Sequence, residues 1–452
     1  MEEFDVVVVG GGPAGYVAAI RASQLGASVG LVEAEQLGGT CLNHGCIPTK
    51  TLIHNADMLR EIHKLSNRGI RIADPSVSID MKSMIGYKDG VVRKLVSGLT
   101  SLVKSHRINV IIGRALVKPD LTVEIDGKKI RGKKIILATG SEAIRPAISG
   151  VEHDRVLTNR EILRLETLPQ RLVIIGGGVI GVEMARIFSA FGTSVTILEM
   201  TDRLLPTFDD TEISGEILKL LRKQNVQVNL GMKVTRFDES QRGIEVFCSQ
   251  GNSHPGTFAL LATGRKADLS SLTDLPLSIE RGFVQTDPQM QTNLPDIYAA
   301  GDINGKCMLA HAAFKMGEIA AENALGTNRE FSTKFVPQIL YGAPEVASVG
   351  MTENQAQEAG YTVRVGRFSF MANGRALASG QGHGFVKLIC DTRYGEILGA
   401  QMIGPNVSEL INEVAVLISA EVTAHELAES VHGHPSFSEV LVETASDALD
   451  RL

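Results

Sequence analysis

Phe4-Asp5-Val6-Val7-Val8-Val9-Gly10-Gly11-Gly12-Pro13-Ala14-Gly15 opens the chain with a β-branched run that breaks into glycines and then into a helical stretch. A second apolar run follows and ends at Glu33. The same plan returns at Leu172-Val173-Ile174-Ile175-Gly176-Gly177-Gly178-Val179-Ile180-Gly181, whose following run ends at Glu199. In both copies the acid lies 23 residues beyond the first glycine. A lone G-x-G-x-x-G is weak evidence. Two copies, each between a strand and a helix and each with its acid in place, predict two dinucleotide-binding units.

Each part has a physical task. The first glycine (Gly10, Gly176) makes the tight turn, and the second (Gly12, Gly178) lets backbone approach a pyrophosphate. The third (Gly15, Gly181) lets the helix pack close, with its N-terminal amides facing the negative charge. Glu33 and Glu199 accept from ribose hydroxyls. The plainer alternative is a glycine-rich turn in any doubly wound sheet, and the duplication argues against it. A second echo agrees: residues 135–140 and 259–264 are apolar strands that both end in Ala-Thr-Gly.

The expected fold is therefore α/β, with two Rossmann-like dinucleotide-binding domains and a C-terminal α+β domain. Helical patterns cover 81–107, 209–224, 407–419 and 436–449, and strand patterns cover 363–370, 385–390 and 397–403. The 452 residues fit about three domains. A net charge of -6 offers no basic footprint for nucleic acid or an anionic membrane, and reads as ordinary solubility. The acidic start Met1-Glu2-Glu3 is unlike a secretory signal, so a cytoplasmic location is expected. No metal site is expected.

Five cysteines are present, and only Cys41 and Cys46 are close. In a reducing compartment a close pair is catalytic more often than structural. It sits in Gly38-Gly39-Thr40-Cys41-Leu42-Asn43-His44-Gly45-Cys46-Ile47-Pro48-Thr49-Lys50. Cysteines five apart around a glycine can meet where an extended loop enters a helix. Lys50 lies one helical turn from Cys46, and both its charge and the helix N-terminus favour a thiolate there.

This segment resembles the GGTCxNxGCxPxK signature of the pyridine nucleotide-disulfide oxidoreductases, and the order of features is similar over nearly the whole chain. The branch of that family that oxidises dihydrolipoyl groups is nearest. The resemblance implies an FAD domain at 1–148 with a return at 265–328, an NAD domain at 149–264, and an interface domain at 329–452 that forms a two-fold homodimer. It implies FAD on Gly10, Gly12, Gly15 and Glu33, with Asp302 of Ala300-Gly301-Asp302-Ile303 on its ribityl or pyrophosphate region. NAD falls to Gly176, Gly178, Gly181 and Glu199. Ala14, Gly39, Thr40, Thr139, Gly140, Leu309-Ala310-His311-Ala312, Gly264 and Arg265 complete the cofactor-binding set.

Cys41 would exchange with substrate and Cys46 would face the flavin, with Lys50 paired to Glu183 beside the ring. His432-Gly433-His434-Pro435-Ser436-Phe437-Ser438-Glu439 resembles the family's HxHPxxSE segment. His434 is then the acid–base, oriented by Glu439, and reaches Cys41 of the other subunit. Ser436-x-x-Glu439 also reads as a capping box for the last helix, which competes for the same carboxylate. The chain departs from the family pattern at His44, at Thr49 and at Lys266-Ala267-Asp268.

Glu199 favours NAD over NADP, because a carboxylate repels a 2′-phosphate; Arg203 is the one nearby cation that weakens this. Met200 and Thr201 stand where glutathione reductases place arginines, and no cysteine follows Cys390 to form a further C-terminal redox pair. The expected partner is a lipoyl domain of a multienzyme complex or a lipoyl carrier protein. The alternatives are another disulfide reductase, or a docking subunit with little activity.

Overall fold

The computed structural model describes residues 1–72, 76–241 and 243–450. Residues 6–9 are almost wholly buried, as a parallel strand covered on both faces requires, which is why no polar residue interrupts them. Their strand, Glu2–Val9, pairs in parallel with Val29–Glu33 on one side and Lys128–Leu137 on the other. Asn109–Ile112 extends the first flank, and the return strand Ile297–Ala299 pairs with residues 135–137. The other half of Lys128–Leu137 turns antiparallel, to Thr122–Ile125 and then Ala115–Val117.

The second sheet runs Gln227–Asn229, Ser194–Leu198, Arg171–Ile175, Phe258–Leu261, Val156–Leu157, all parallel. Both Ala-Thr-Gly echoes therefore follow strands that re-enter a nucleotide-type sheet. The third sheet is antiparallel, in the order Gln338–Leu340, Glu345–Gly350, Ile397–Gly404, Phe385–Asp391, Val363–Ser369, with helices Val407–Ser419 and Glu439–Ala448 against it.

Two helices rich in small residues, Pro13–Gln24 and Ala310–Ala324, fasten the return segment to the first turn. A Cβ on Gly317 would lie 2.2 Å from the Ala14 carbonyl oxygen, so only glycine permits this approach. The long helix is Met81–Ser105, its first turn held by Asp80 accepting from the Ser83 N–H. The amphipathic one is Thr211–Lys223, capped by Asp210.

Two expectations need correction. The segment before Cys46 is not extended: Gly38 (φ 99°) and Gly39 (φ 54°) reverse the chain into a short helix, Gly39–His44, and Cys41 rides on it. The last helix begins at Glu439 rather than Ser436, because the amide of Ser436 is turned onto the Glu439 carboxylate instead of into a helical turn.

Candidate active site

The first glycine turn opens into a cavity of about 780 Å³. Gly10 (φ 103°) has no room for a side chain, since a Cβ would sit 2.3 Å from the Ala138 carbonyl oxygen. A Cβ on Gly15 would meet the Gly10 oxygen at 1.7 Å, which is the close helix packing expected of the third glycine. Glu33 accepts from the Gly11 N–H at 2.7 Å with one oxygen and from the Glu35 N–H at 2.8 Å with the other, so its carboxylate is fixed at the cavity wall. Gly10, Gly12, Ala14, Glu33, Gly39, Thr40, Thr139, Gly140, Asp302, Ala310 and Arg265 all line this cavity. Leu309, His311 and Ala312 do not. His311 instead meets the Pro337 carbonyl at 2.8 Å, where it ties the return helix to the third domain.

Cys41, Cys46, Lys50 and Glu183 line the same cavity. Cys46 is the first residue of the helix Cys46–Lys64, where unpaired amides favour an anion. Both cysteines are free thiols, and each perturbs the other. The neighbouring Cys41 thiol, with help from Lys50 and against burial, pulls the Cys46 thiol down to about 7. Cys46 and burial push Cys41 well up. The pair is thus polarised, with Cys46 the more acidic thiol and Cys41 the less. Lys50 Nζ donates to both Glu183 oxygens at 3.0 and 3.1 Å and stands 4.5 Å over the Tyr341 ring. Burial works against the Lys50 charge, but Glu183 and Cys46 outweigh it and hold the ammonium charged.

Several cavity residues carried no motif. Ser141 donates to Asp302 at 2.5 Å and accepts from Arg265 Nε at 2.8 Å, while Arg265 also reaches the Ser141 carbonyl at 2.6 Å. The backbone beside it is tied down as well: residues 265–267 pair antiparallel with Ser141–Ala143, and the Asp268 carbonyl accepts from Thr139 Oγ1 at 2.6 Å. At the other end Arg160 bridges to Glu35 at 3.0 Å, and Asn159 donates to the His44 carbonyl at 2.7 Å. His44 itself faces the cavity, and burial together with Arg160 and Arg164 lowers its pKa. Thr49 is buried. Glycine-rich turns advertise themselves in a sequence; these partners, 90 or more residues away, do not.

The second turn repeats the wiring of the first. A Cβ on Gly176 would lie 2.3 Å from the Ala262 oxygen, and one on Gly181 2.0 Å from the Gly176 oxygen. Glu199 accepts from the Gly177 N–H at 2.5 Å and from the Thr201 N–H and hydroxyl at 2.7 and 2.9 Å. Gly178 has nothing within 4 Å of its Cβ direction, and Gly264 only Ile144 at 3.6 Å. Arg203 is paired to Asp209 at 2.9 Å and is thereby held by a carboxylate of its own.

His434 lies apart from the cavity, 79% exposed, with Nδ1 2.7 Å from Glu439 Oε1. Glu439 divides its two oxygens: the other accepts from the Ser436 N–H at 2.8 Å, which is one half of a capping box. The competing roles coexist on one carboxylate. His432 is anchored to Glu413 at 2.9 Å.

Comparison with known proteins agrees with this geometry. The pyridine nucleotide-disulphide oxidoreductase family matches residues 4–317, and the dimerisation domain of the same family matches residues 336–445. The chain is 39% identical to a dihydrolipoyl dehydrogenase of Bacillus subtilis and 37% identical to one of Thermus scotoductus, covering 97% of each and 97–98% of this chain. Among solved structures it resembles LpdA from Mycobacterium tuberculosis (TM-score 0.91, 26% identity) and the HOCl-induced flavoprotein disulfide reductase RclA from Escherichia coli in its Cu(II) complex (TM-score 0.89, 30% identity). Both cover 98–99% of this chain and 99% of their own. Duplicated glycine turns, a polarised cysteine pair on one cavity and full-length similarity all place the chain in the pyridine nucleotide-disulphide oxidoreductase family.

Proposed function

We propose that the chain oxidises dihydrolipoyl groups with NAD, using Cys41 and Cys46 as the exchanging pair and FAD as the resident cofactor. The observation that carries this reading is the polarised thiol pair on the wall of the cavity that the first glycine turn opens into. The cavity fits FAD: Glu33 offers a fixed carboxylate, and Asp302 presents another beside Ser141 and Arg265. Residues 1–148 and 265–328 would hold it, with residues 149–264 holding NAD on Gly176, Gly178, Gly181 and Glu199. Bound FAD supplies the two-electron carrier between the dithiol and the nicotinamide.

The residues of the chain do the following. In the oxidised enzyme Cys41 and Cys46 form a disulfide. A dihydrolipoyl thiolate attacks Cys41, breaking that bond and releasing Cys46 as a thiolate. The second substrate thiol then attacks the mixed disulfide, freeing Cys41 and closing the lipoyl disulfide. Two substrate thiols are oxidised and two cysteines reduced, so the electrons balance. Lys50 and the helix N-terminus hold the Cys46 charge, and the thiolate never has to leave the cavity wall.

Proton removal from the substrate thiol needs a base. His434, oriented by Glu439, takes that role at the Cys41 of a second copy of the chain, joined through residues 329–452. The substrate dithiol comes on a lipoyl domain of a multienzyme complex or on a lipoyl carrier protein. The working location is the cytoplasm; among the described residues no helix is long and apolar enough to cross a membrane.

Anaerobic mixing of the flavoprotein with dihydrolipoamide, followed by NAD, tests the reading. It predicts a change in the flavin spectrum on adding the dithiol and NADH on adding NAD. A spectrum that responds to NADH and ignores dihydrolipoamide would move the search to another disulfide substrate.

A further inference from the structure

Arg186 is 1% exposed, and among the described residues no carboxylate is bonded to it. Its Nη1 donates to the Tyr341 and Pro344 carbonyls at 3.3 and 2.9 Å, while Nε and Nη2 find no partner among the described residues. Gly342 (φ 110°) lies so flat against the guanidinium that a Cβ there would sit 2.7 Å from Arg186 Cζ. A buried guanidinium with idle donors is costly, and burial lowers its pKa to about 10, so it stays charged at neutral pH. Such a group calls for a reason, and its neighbours supply one.

The turn that Arg186 grips also carries the groups that hold the redox lysine. The Tyr341 N–H donates to Glu183 Oε1 at 3.2 Å, and the Tyr341 ring lies under Lys50. Glu183 and Arg186 are one turn apart on the helix Val179–Ala190. The Arg186 carbonyl in turn accepts from Arg60, on the helix that begins with Cys46. A single residue thereby touches the second domain, the third domain and the cysteine helix.

We propose that Arg186 is a positioning residue for the redox pair: by clamping the 341–344 turn it fixes Glu183 and Lys50 against Cys46. This rests on the reading of Cys46 as the flavin-side thiol. Around Cys46 stand Cys41, Lys50, Glu183, Arg265, Tyr16 and Tyr341; around Arg186 stand Asp57, Arg60, Glu183 and Glu345. Loss of the clamp lets Glu183 and Lys50 drift; Lys50 lowers the Cys46 thiol more than Glu183 raises it, so losing the pair raises the pH needed to form the thiolate.

The test uses the reduced, FAD-bound, full-length protein with Cys41→Ser, so that Cys46 is the reporter. Its alkylation by iodoacetamide is followed against pH by peptide mass. Arg186→Met is expected to move the midpoint up by about one pH unit, a roughly tenfold loss of thiolate below it. Arg186→Lys, which keeps the charge but loses the planar fork, falls between and carries the test if the Met variant does not fold. Phe188→Leu, which loosens the same helix without touching the clamp, should leave the midpoint in place. An unmoved midpoint in the folded Arg186 variants overturns the proposal, as does an equal shift in Phe188→Leu. Lipoyl substrate plays no part, so failure of the substrate reading would show separately, as absent dihydrolipoamide turnover with the Cys46 midpoint intact.

Discussion

The two glycine turns share a backbone plan and differ in what covers them. In both, the acid accepts from the amide after the first glycine, and the third glycine packs on the carbonyl of the first. Over the first turn, however, Gly39 of the cysteine segment comes so close that a Cβ on it would lie 2.7 Å from the Gly12 Cα. Over the second, Gly178 faces open space. One turn is roofed by the redox loop and the other is bare. With flavin on the first turn and nicotinamide on the second, as proposed, the roof would retain the one and the bare turn would let the other exchange.

The strongest way to break this contrast is to spoil each roof in turn. Gly39→Val, at a positive φ and against the Gly12 backbone, should cost the protein most of its bound flavin on purification, read as the FAD-to-protein absorbance ratio. Gly178→Val should keep that ratio and raise the NAD KM tenfold or more. Flavin loss in both would show that the turns are not distinct. Next in size, His434→Gln and Glu439→Gln should lower dihydrolipoamide turnover by about 100-fold, in the range of a lost general base, with FAD content unchanged. An activity near that of the unaltered protein would remove the base assignment.

Glu199→Ala should raise the NAD KM by about tenfold, the weight of a hydrogen bond to a charged group, and leave flavin in place; unchanged NAD kinetics would sink that role. The thiol carried by the roof gives a pH signature that the bare turn lacks. A Cys46 pKa lowered to about 7 means that thiolate is present above that pH and lost as the pH falls through it. Alkylation of reduced protein at Cys46 should therefore reach half its maximal rate near pH 7, and a midpoint near 9 would contradict the polarised pair. Smallest of all, Arg203→Ala should change the NAD-to-NADP preference by no more than about twofold, because exposed ion pairs of the Arg203–Asp209 kind contribute little.

What the sequence disclosed, and what it hid, follow one physical line. Gly10, Gly15, Gly176 and Gly181 are legible because backbone geometry forbids any other residue, and Glu33 and Glu199 because their distance from the turn is set by one strand–helix–strand passage. Cys41, Cys46 and Lys50 are legible because their chemistry acts through adjacent helical turns. Ser141, Tyr341, Arg160 and Arg186 are not, since each acquires its role from a partner that only the tertiary fold brings near. The helix under Cys41 was also hidden, because Gly38 and Gly39 look like loop residues until their positive φ values start a helix. Leu309, His311 and Ala312 are neighbours of cavity residue Ala310 in sequence, yet only Ala310 of the four lines the cavity, and His311 bonds to the Pro337 carbonyl.

The central claim is that electrons leave a dithiol through the Cys41–Cys46 pair. Its most direct test is NADH formation from dihydrolipoamide by the Cys46→Ser protein, with flavin content measured on the same sample. The account predicts full flavin occupancy and no dihydrolipoamide-dependent NADH. Continued NADH formation by that protein would contradict it.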